Sequence, residues 1–259
     1  MKKPKCHSEL GFSLLEVLSA ILIVTFFTAA AMQMMVISAA FKAKAKEYTT
    51  AANLIEKDLE TVRNIAAQYE FPIVASPVPT VGATAIRLSS GKGLKQDDQI
   101  QFSGSSNVYS ITAPSPIPSA SPTITITPGI ISPAPSVSTR VGSNTVCSAT
   151  SASTGLANYL QQITQGSAYI DSSKTFSITE GATSVTYEAV VGANPYIIPD
   201  TSKKLWLMRN DNNLNAAPYN VLQVRYLVVK DNNGSPSSNK IVAKLASEVI
   251  PNASFQCIQ

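Results

Sequence analysis

Histidine and charged residues are scarce in this chain. His7 is the sole histidine, and only 14% of the 259 residues are charged, against about 25% in soluble proteins. Beyond residue 7 the chain therefore has no Ser-His-Asp, Cys-His or histidine-ligated metal chemistry. Serine, threonine, asparagine, glutamine and 16 prolines take the place of charge. This composition favours an exported, surface-facing protein, and it predicts neither an enzyme nor a bound cofactor or metal.

Cysteine is nearly as scarce. Cys6 lies in the polar N-terminal segment, and only Cys147 and Cys257 remain beyond it. Two cysteines in an exported domain are consistent with one disulfide, and equally with two unpaired thiols. No CxxC spacing occurs, which argues against a metal site.

No motif for nucleotide, nucleic-acid or calcium binding is present. Lysine and arginine are scattered rather than clustered, so no nucleic-acid partner is expected. The run 90–95 lacks phosphate-loop spacing, and the acidic, asparagine-rich runs 211–215 and 231–234 lack the full calcium-loop pattern. All three are predicted to be turns. Carboxylate pairs such as Glu180 with Glu188 exist, but nothing singles them out for catalysis.

A long apolar run stands out against this background. From Phe12 to Phe41 the sequence has a single charge, Glu16, and neither proline nor glycine. As a helix the run measures about 45 Å, enough to cross a hydrocarbon core of about 30 Å with some tilt. It is longer than the 7–15-residue apolar core of a secretory leader. A carboxylate near a bilayer centre costs about 2.5–3.5 kcal/mol, so Glu16 is expected to have a partner.

Gly11 offers a source for that partner. It is a small residue at a lysine-rich boundary between polar and apolar sequence, suited to cleavage by a peptidase. Cleavage there would expose a protonated α-amine on Phe12, within about 6 Å of Glu16 along the helix axis. In a bundle of staggered helices, Glu16 would pair with the amine of a neighbouring subunit and specify axial register.

The helix is predicted to continue to Tyr69. Residues 42–70 contain no glycine or proline, and Pro72 ends the helix. An apolar stripe with helical spacing predicts one buried face, and the opposite face is predicted to carry Asp58 among other polar residues. The stripe consists of Ile55, Leu59, Val62, Ala66 and Tyr69.

The remainder, residues 71–259, is typical of a β-rich head. Residues 220–230 and 240–250 alternate in polarity around a turn sequence and predict an antiparallel hairpin. Residues 113–156 form a proline-, serine- and threonine-rich insertion. We interpret this insertion as a poorly ordered linker or O-glycosylated stalk; the alternative is an ordered loop around the alternating strand Thr123–Thr127. The predicted fold class is α+β, with a long N-terminal helix on a mostly antiparallel sheet.

The run GFSLLEVL, Gly11–Leu18, resembles the signature of type IV prepilins, which is shared by pilins and by the pseudopilins of type II secretion. The resemblance covers roughly residues 1–70. It implies a cytoplasmic leader, residues 1–11, which a membrane prepilin peptidase removes before N-methylating Phe12. It further implies a stem helix, residues 12–70, of which 12–41 cross the membrane, and an alignment role for Glu16.

The resemblance also implies a location and partners. The protein would be a single-pass inner-membrane protein with a cytoplasmic N-terminus and a periplasmic or extracellular head. Its partners would be the peptidase, other pilin or pseudopilin subunits, an inner-membrane assembly platform and membrane lipid. The clean apolar run and the large head favour a minor pilin or a pseudopilin over the main fibre subunit, and a minor pilin is the first choice. A pseudopilin is the first alternative, and a signal-anchored adhesion protein that binds surface glycans is the second.

Overall fold

The computed structural model describes residues 14–180, 183–192, 194–199, 201–213 and 217–257. The chain divides into two compact units at Thr49–Thr50. Helix α1, Leu14–Gln68, contributes its first half (residues 14–49) to one unit and its second half (residues 50–68) to the other. The described part of the second unit also contains two antiparallel sheets, so the fold class is α+β.

Helix α1 ends at Gln68, within one residue of the predicted end at Tyr69. The proline at position 72 lacks an N–H and cannot continue the helix. The Tyr69 carbonyl, left free at the helix end, accepts a hydrogen bond from Ala253 N at 2.8 Å. The 3-10 helix Asn252–Gln256 supplies this donor, so the C-terminal segment caps the end of α1.

In the described part of the second unit, six strands form one sheet in the order β11-β10-β9-β7-β6, with β8 paired to β9. β10 and β11 form the predicted hairpin, paired from Leu222↔Val249 to Asn232↔Ser235 with two shifts of register, between Val228 and Val229 and between Val229 and Asp231. Their turn uses Asn233 and Gly234, both with positive φ as two-residue hairpin turns require. The strands are β6 Ile170–Glu180, β7 Thr183–Val190, β8 Tyr196–Ile197, β9 Lys204–Asn213, β10 Leu222–Asn232 and β11 Ser235–Val249.

Both faces of this sheet carry apolar cores. One face packs on the second half of α1, whose buried residues include Ile55, Leu59, Val62 and Ala66 of the predicted stripe. The fifth residue, Tyr69, is buried just beyond the end of the helix, in a separate cluster. Strand alternation places Val224, Tyr226 and Val228 on that face. The opposite face holds a separate cluster around Tyr187, with Trp206 and Met208. A sheet buried on both faces explains why β9 and β10 have near-continuous apolar runs.

A second sheet of five strands, in the order β1-β4-β3-β2-β5, has its own apolar core. Alternate residues of each strand point into it, such as Ile100 and Phe102 of β2 and Ile124 and Ile126 of β4. The strands are β1 Ala85–Arg87, β2 Gln99–Phe102, β3 Val108–Ala113, β4 Thr123–Thr127 and β5 Val141–Ser143.

The proline-rich tract differs from the disordered linker that its composition predicts. Residues 113–156 contain β4 and β5, and Ile124, Ile126 and Ile130 are at most 2% exposed. The tract is therefore part of the head. Its prolines lie between strands, where a missing N–H breaks no ladder hydrogen bond, so they do not prevent sheet formation.

Two short helices join these parts. Helix α2, Asn144–Cys147, begins at Ser143, whose Oγ accepts a hydrogen bond from Val146 N. Helix α3 spans Leu156–Thr164. A disulfide joins Cys147 to Cys257, with Cα atoms 5.6 Å apart. It links α2 to the 3-10 helix that caps α1, around a cluster containing Tyr69 and Phe71.

Candidate functional site

The predicted cleavage and methylation positions, Gly11 and Phe12, lie outside the described residues. Glu16 lies in the first turn of α1 with its side chain exposed. Its backbone carbonyl accepts a hydrogen bond from Ser19 Oγ at 2.9 Å. A carboxylate at a helix N-terminus interacts favourably with the helix dipole. It is also free to meet a partner from outside the described chain.

The first half of α1 presents large apolar side chains to its surroundings. Leu14 is 88% exposed and Met35 is 74% exposed, and residues between them are similar. Among the described residues, α1 is the one helix long and apolar enough to cross a membrane. Exposed apolar surface on this scale marks contact with lipid or with other protein.

The hydroxyl groups within this apolar surface are satisfied by the helix itself. Thr25 Oγ1 lies 2.9 Å from the carbonyls of Ile21 and Leu22, and Thr28 Oγ1 lies 2.8 Å from that of Val24. Such bonds to the preceding turn hide the hydroxyls from an apolar medium. Apart from Glu16, the amide of Gln33 and the hydroxyl of Ser38, the surface from Leu14 to Phe41 is therefore compatible with hydrocarbon.

The head contains a buried charged cluster, which we call the Arg209 cluster: Asp58, Thr164, Arg209, Asp211 and Tyr226. Arg209 is 2% exposed, and its Nη1 donates a hydrogen bond to Asp58 Oδ2 at 2.8 Å. Tyr226 donates its hydroxyl hydrogen to the same oxygen, also at 2.8 Å. Asp58 thus connects the second half of α1 to strands β9 and β10.

The other side of Arg209 meets Asp211. The two form an ion pair, with Nε 3.0 Å from Asp211 Oδ1, but the geometry is not that of a hydrogen bond. Arg209 Nη2 donates to the carbonyl of Thr164, and Thr164 Oγ1 lies 2.7 Å from Asp211 Oδ2. Helix α3 is thereby joined to the same cluster.

Burial and charge act in opposite directions on the pKa values of this cluster. Burial raises the pKa of Asp211, although Arg209 and the Thr164 hydroxyl favour its charged form. Burial would lower the pKa of Arg209, but the carboxylates of Asp211 and Asp58 outweigh it and raise that pKa. Burial, followed by the Asp58 charge, raises the pKa of Tyr226. Tyr226 is therefore a neutral hydrogen-bond donor.

The prediction that Asp58 lies on the polar side of the helix is wrong. Asp58 is 8% exposed, because it is three residues after Ile55 and four before Val62 on the buried stripe. Arg209 occupies the inward position that follows Leu205 and Leu207 in β9. Reading these two spacings together would have predicted a buried ion pair.

The predicted turn at 211–215 is also wrong for its described residues. Asp211, Asn212 and Asn213 continue β9 and pair with Val224, Gln223 and Leu222 of β10. Asparagine and aspartate disfavour strands intrinsically. The pairing with an apolar neighbouring strand outweighs that preference.

A second buried polar site lies at the end of α1. Tyr69 is 4% exposed, and its hydroxyl has no hydrogen-bond partner within the described chain. Burial, with contributions from Tyr159 and Asp98, raises the pKa of Tyr69. Gly93, at φ +75°, lies against the Tyr69 hydroxyl, so a larger residue there would collide with the ring.

The comparisons with known proteins add no assignment. No family model matches the chain, and neither a curated protein nor a solved structure is significantly similar to it. Within the described residues, no group of three or more histidine, cysteine or acidic side chains is placed to hold a metal ion. Two features remain as candidates for function: the exposed apolar half of α1 with Glu16, and the Arg209 cluster.

Proposed function

We propose that this protein is a minor structural subunit of a type IV pilus or a related pilus-like filament. The observation that carries the proposal is the first half of α1, an apolar helix exposed from Leu14 to Phe41 with one carboxylate, Glu16, in its first turn. This surface contacts membrane lipid before assembly and the helices of neighbouring subunits afterwards. The second compact unit, residues 50–259, which comprises the second half of α1 and the head, forms the exterior of the filament.

Glu16 provides the register in this proposal. A prepilin peptidase cleaves after Gly11 on the cytoplasmic side and N-methylates Phe12, which leaves a positive amine at the new N-terminus. The Glu16 carboxylate pairs with the amine of an adjacent subunit in an apolar environment. A lone ion pair there adds little net stability, but any other axial offset leaves a charge unpaired. Glu16 therefore selects one offset among many that the apolar surface permits.

The apolar surface provides adhesion without selecting an offset. Leucine, isoleucine, valine and phenylalanine side chains surround the whole helix rather than one stripe. Packing between such helices is attractive at many rotations and translations. Retention in the membrane and lateral association thus come from the apolar residues, and specificity comes from the single charge.

The mass of the intact protein, extracted from the membrane of an expressing cell, tests the proposal. Cleavage after Gly11 with one added methyl group on Phe12 is expected. A matched sample from cells without prepilin peptidase should retain the full chain from Met1. A full-length, unmethylated chain in cells that contain the peptidase would contradict the proposal and would favour a signal-anchored surface protein.

A second experiment isolates Glu16. Glu16→Ala should be cleaved normally but should be recovered in sheared filaments at least tenfold less than the unchanged subunit, because the amine of its neighbour loses its partner. Glu60→Ala is the matched control, since Glu60 is an exposed acid on the second half of the same helix. Equal recovery of the two variants would contradict the register role.

A further inference from the structure

The Arg209 cluster contains more acidic than basic side chains. Two carboxyl groups, Asp58 and Asp211, flank one guanidinium, and all three side chains are at least nine-tenths buried. With both carboxyls ionised, the cluster would have a net negative charge in a site with little water. An uncompensated buried charge is costly enough that a group normally takes up a proton instead.

The hydrogen bonds show which carboxyl can take that proton. Asp58 Oδ2 accepts from both Arg209 Nη1 and the Tyr226 hydroxyl, so two donors stabilise Asp58 as a carboxylate. Asp211 has no such pair. Its Oδ1 has no hydrogen-bond partner among the described residues, although it lies 3.0 Å from Arg209 Nε.

The contacts of the Thr164 hydroxyl also indicate that the proton is on Asp211. Its Oγ1 lies 3.2 Å from the Gln161 carbonyl and 2.7 Å from Asp211 Oδ2, yet a hydroxyl has one hydrogen. If that hydrogen is donated to the Gln161 carbonyl, the short contact with Asp211 needs another hydrogen. A proton on Asp211 Oδ2, donated to Thr164 Oγ1, satisfies both contacts.

We propose that Asp211 is protonated in the native head at neutral pH, and that its ionisation as pH rises weakens the attachment of the second half of α1 to the sheet. The cluster then consists of one ion pair, Asp58 with Arg209, and one neutral acid. Loss of the proton restores the excess negative charge at the point where α1, α3, β9 and β10 meet. The proton on Asp211 thus adds to the apolar core in stabilising the contact between α1 and the sheet.

The charged and titratable groups near Asp211 come from α1, β7, β9 and β10. Arg209 comes from β9, Asp58 from α1 and Tyr226 from β10, while α3 contributes the uncharged Gln161 and Thr164. β7 places the half-buried Glu188 opposite Arg209 in the strand register. Burial, the largest influence, raises the pKa of Asp211, which is the direction that two carboxyl groups around one guanidinium also favour.

The sign of the pH effect follows from linkage. A carboxyl whose folded pKa lies above its unfolded value stabilises the fold fully below the unfolded pKa, about 3.9, and loses that contribution as pH rises through the folded pKa. Each pH unit within this interval changes the unfolding equilibrium constant by up to about tenfold. The usual paired aspartate behaves in the opposite way.

The test is urea unfolding of the full chain in detergent, followed by the fluorescence of Trp206, the sole tryptophan. Between about pH 5 and 7, the unfolding constant of the unchanged protein should rise by up to about tenfold per unit relative to that of Asp211→Asn. Asp58→Asn should also lose this slope, because Asp211 then becomes the one carboxylate partner of Arg209. Equal slopes in the unchanged protein and Asp211→Asn would overturn the proposal.

Two controls separate Asp211 from its neighbours. Asp171→Asn should keep the slope, since Asp171 is exposed and hydrogen bonds from Ser173 lower its pKa out of this interval. Glu188→Gln should keep it as well, and loss of the slope in that variant would assign the proton to Glu188 and overturn the proposal. If Asp211→Asn does not fold, infrared absorption of a protonated carboxyl in the unchanged protein at neutral pH decides. Its absence would overturn the proposal.

Discussion

The two halves of α1 contain similar apolar residues, which are exposed in the first half and buried along one stripe in the second. In the first half, Leu22 is 64% exposed and Phe26 is 71% exposed. In the second half, Leu59 is 5% exposed and Val62 is completely buried. The difference lies in the arrangement of the residues. The first half is apolar around its whole circumference, whereas the second half has one apolar stripe.

This contrast separates stability from assembly. A stripe on one face can be buried by a sheet of the same chain, and the second half of α1 is buried in that way. A helix that is apolar all round exceeds what one sheet face can cover, so its surface is suited to lipid or to several neighbouring helices. Substitutions in the second half should therefore change the stability of the head. Under the proposed function, those in the first half should change membrane retention and incorporation into filaments.

The largest expected effect in the second half comes from its charged contact. Arg209→Met should lower the free energy of unfolding by about 3–5 kcal/mol, because Asp58 remains buried without its counter-charge. Urea unfolding measures this loss. Asp58→Leu combined with Arg209→Met should be more stable than Arg209→Met alone, because the whole ion pair is then replaced. A double variant that is no more stable than Arg209→Met would contradict the cost assigned here to the unpaired Asp58 charge.

A pair of leucine substitutions tests the two halves directly. Leu59→Ala should lower the free energy of unfolding of the head by about 3 kcal/mol, through lost burial and the cavity that remains. Leu22→Ala, the matched change in the first half, should alter it by less than about 0.5 kcal/mol. The same urea experiment measures both. A similar loss for Leu22→Ala would mean that the first half also contributes to the core of the head.

The disulfide should have the smallest of these three effects. Replacing Cys147 and Cys257 with serine should lower the free energy of unfolding by about 2.5 kcal/mol, because the unfolded chain gains freedom. Unfolding with and without a reductant should give the same difference for the unchanged protein. Cys6→Ser is the control and should have no effect on the head. Unchanged stability after reduction would show that the cap on α1 holds without the covalent link.

Periodicity predicted those elements whose partners are local or repetitive. The helix to Tyr69 follows from an uninterrupted run of helix formers, and the β10–β11 hairpin follows from two alternating segments around an Asn-Gly turn. Ile55, Leu59, Val62 and Ala66 of α1 were predicted to be buried, and they are. These features depend on neighbours a few positions away, which a sequence displays directly.

Composition was misleading where distant partners decide. The tract 113–156 looks like a linker by its proline and serine content, yet Ile124 and Ile126 pack into a core formed with β2 and β3. Asp58 looks like a surface residue until Arg209, 151 positions away, is placed opposite it. A side chain at position 93 would collide with Tyr69, and this contact exists only in the folded chain.

The sequence by itself determined the long helix, its division into an all-apolar half and a striped half, and the antiparallel hairpin, because each depends on spacing along the chain. It also marks Gly11, Phe12 and Glu16 as the positions on which the proposed filament role depends. Only the tertiary structure decided that two sheets form, that Cys147 meets Cys257, and that Asp58, Arg209 and Asp211 share one buried site. Those contacts join residues far apart in sequence, and whether a charge is paired or orphaned is settled when they meet.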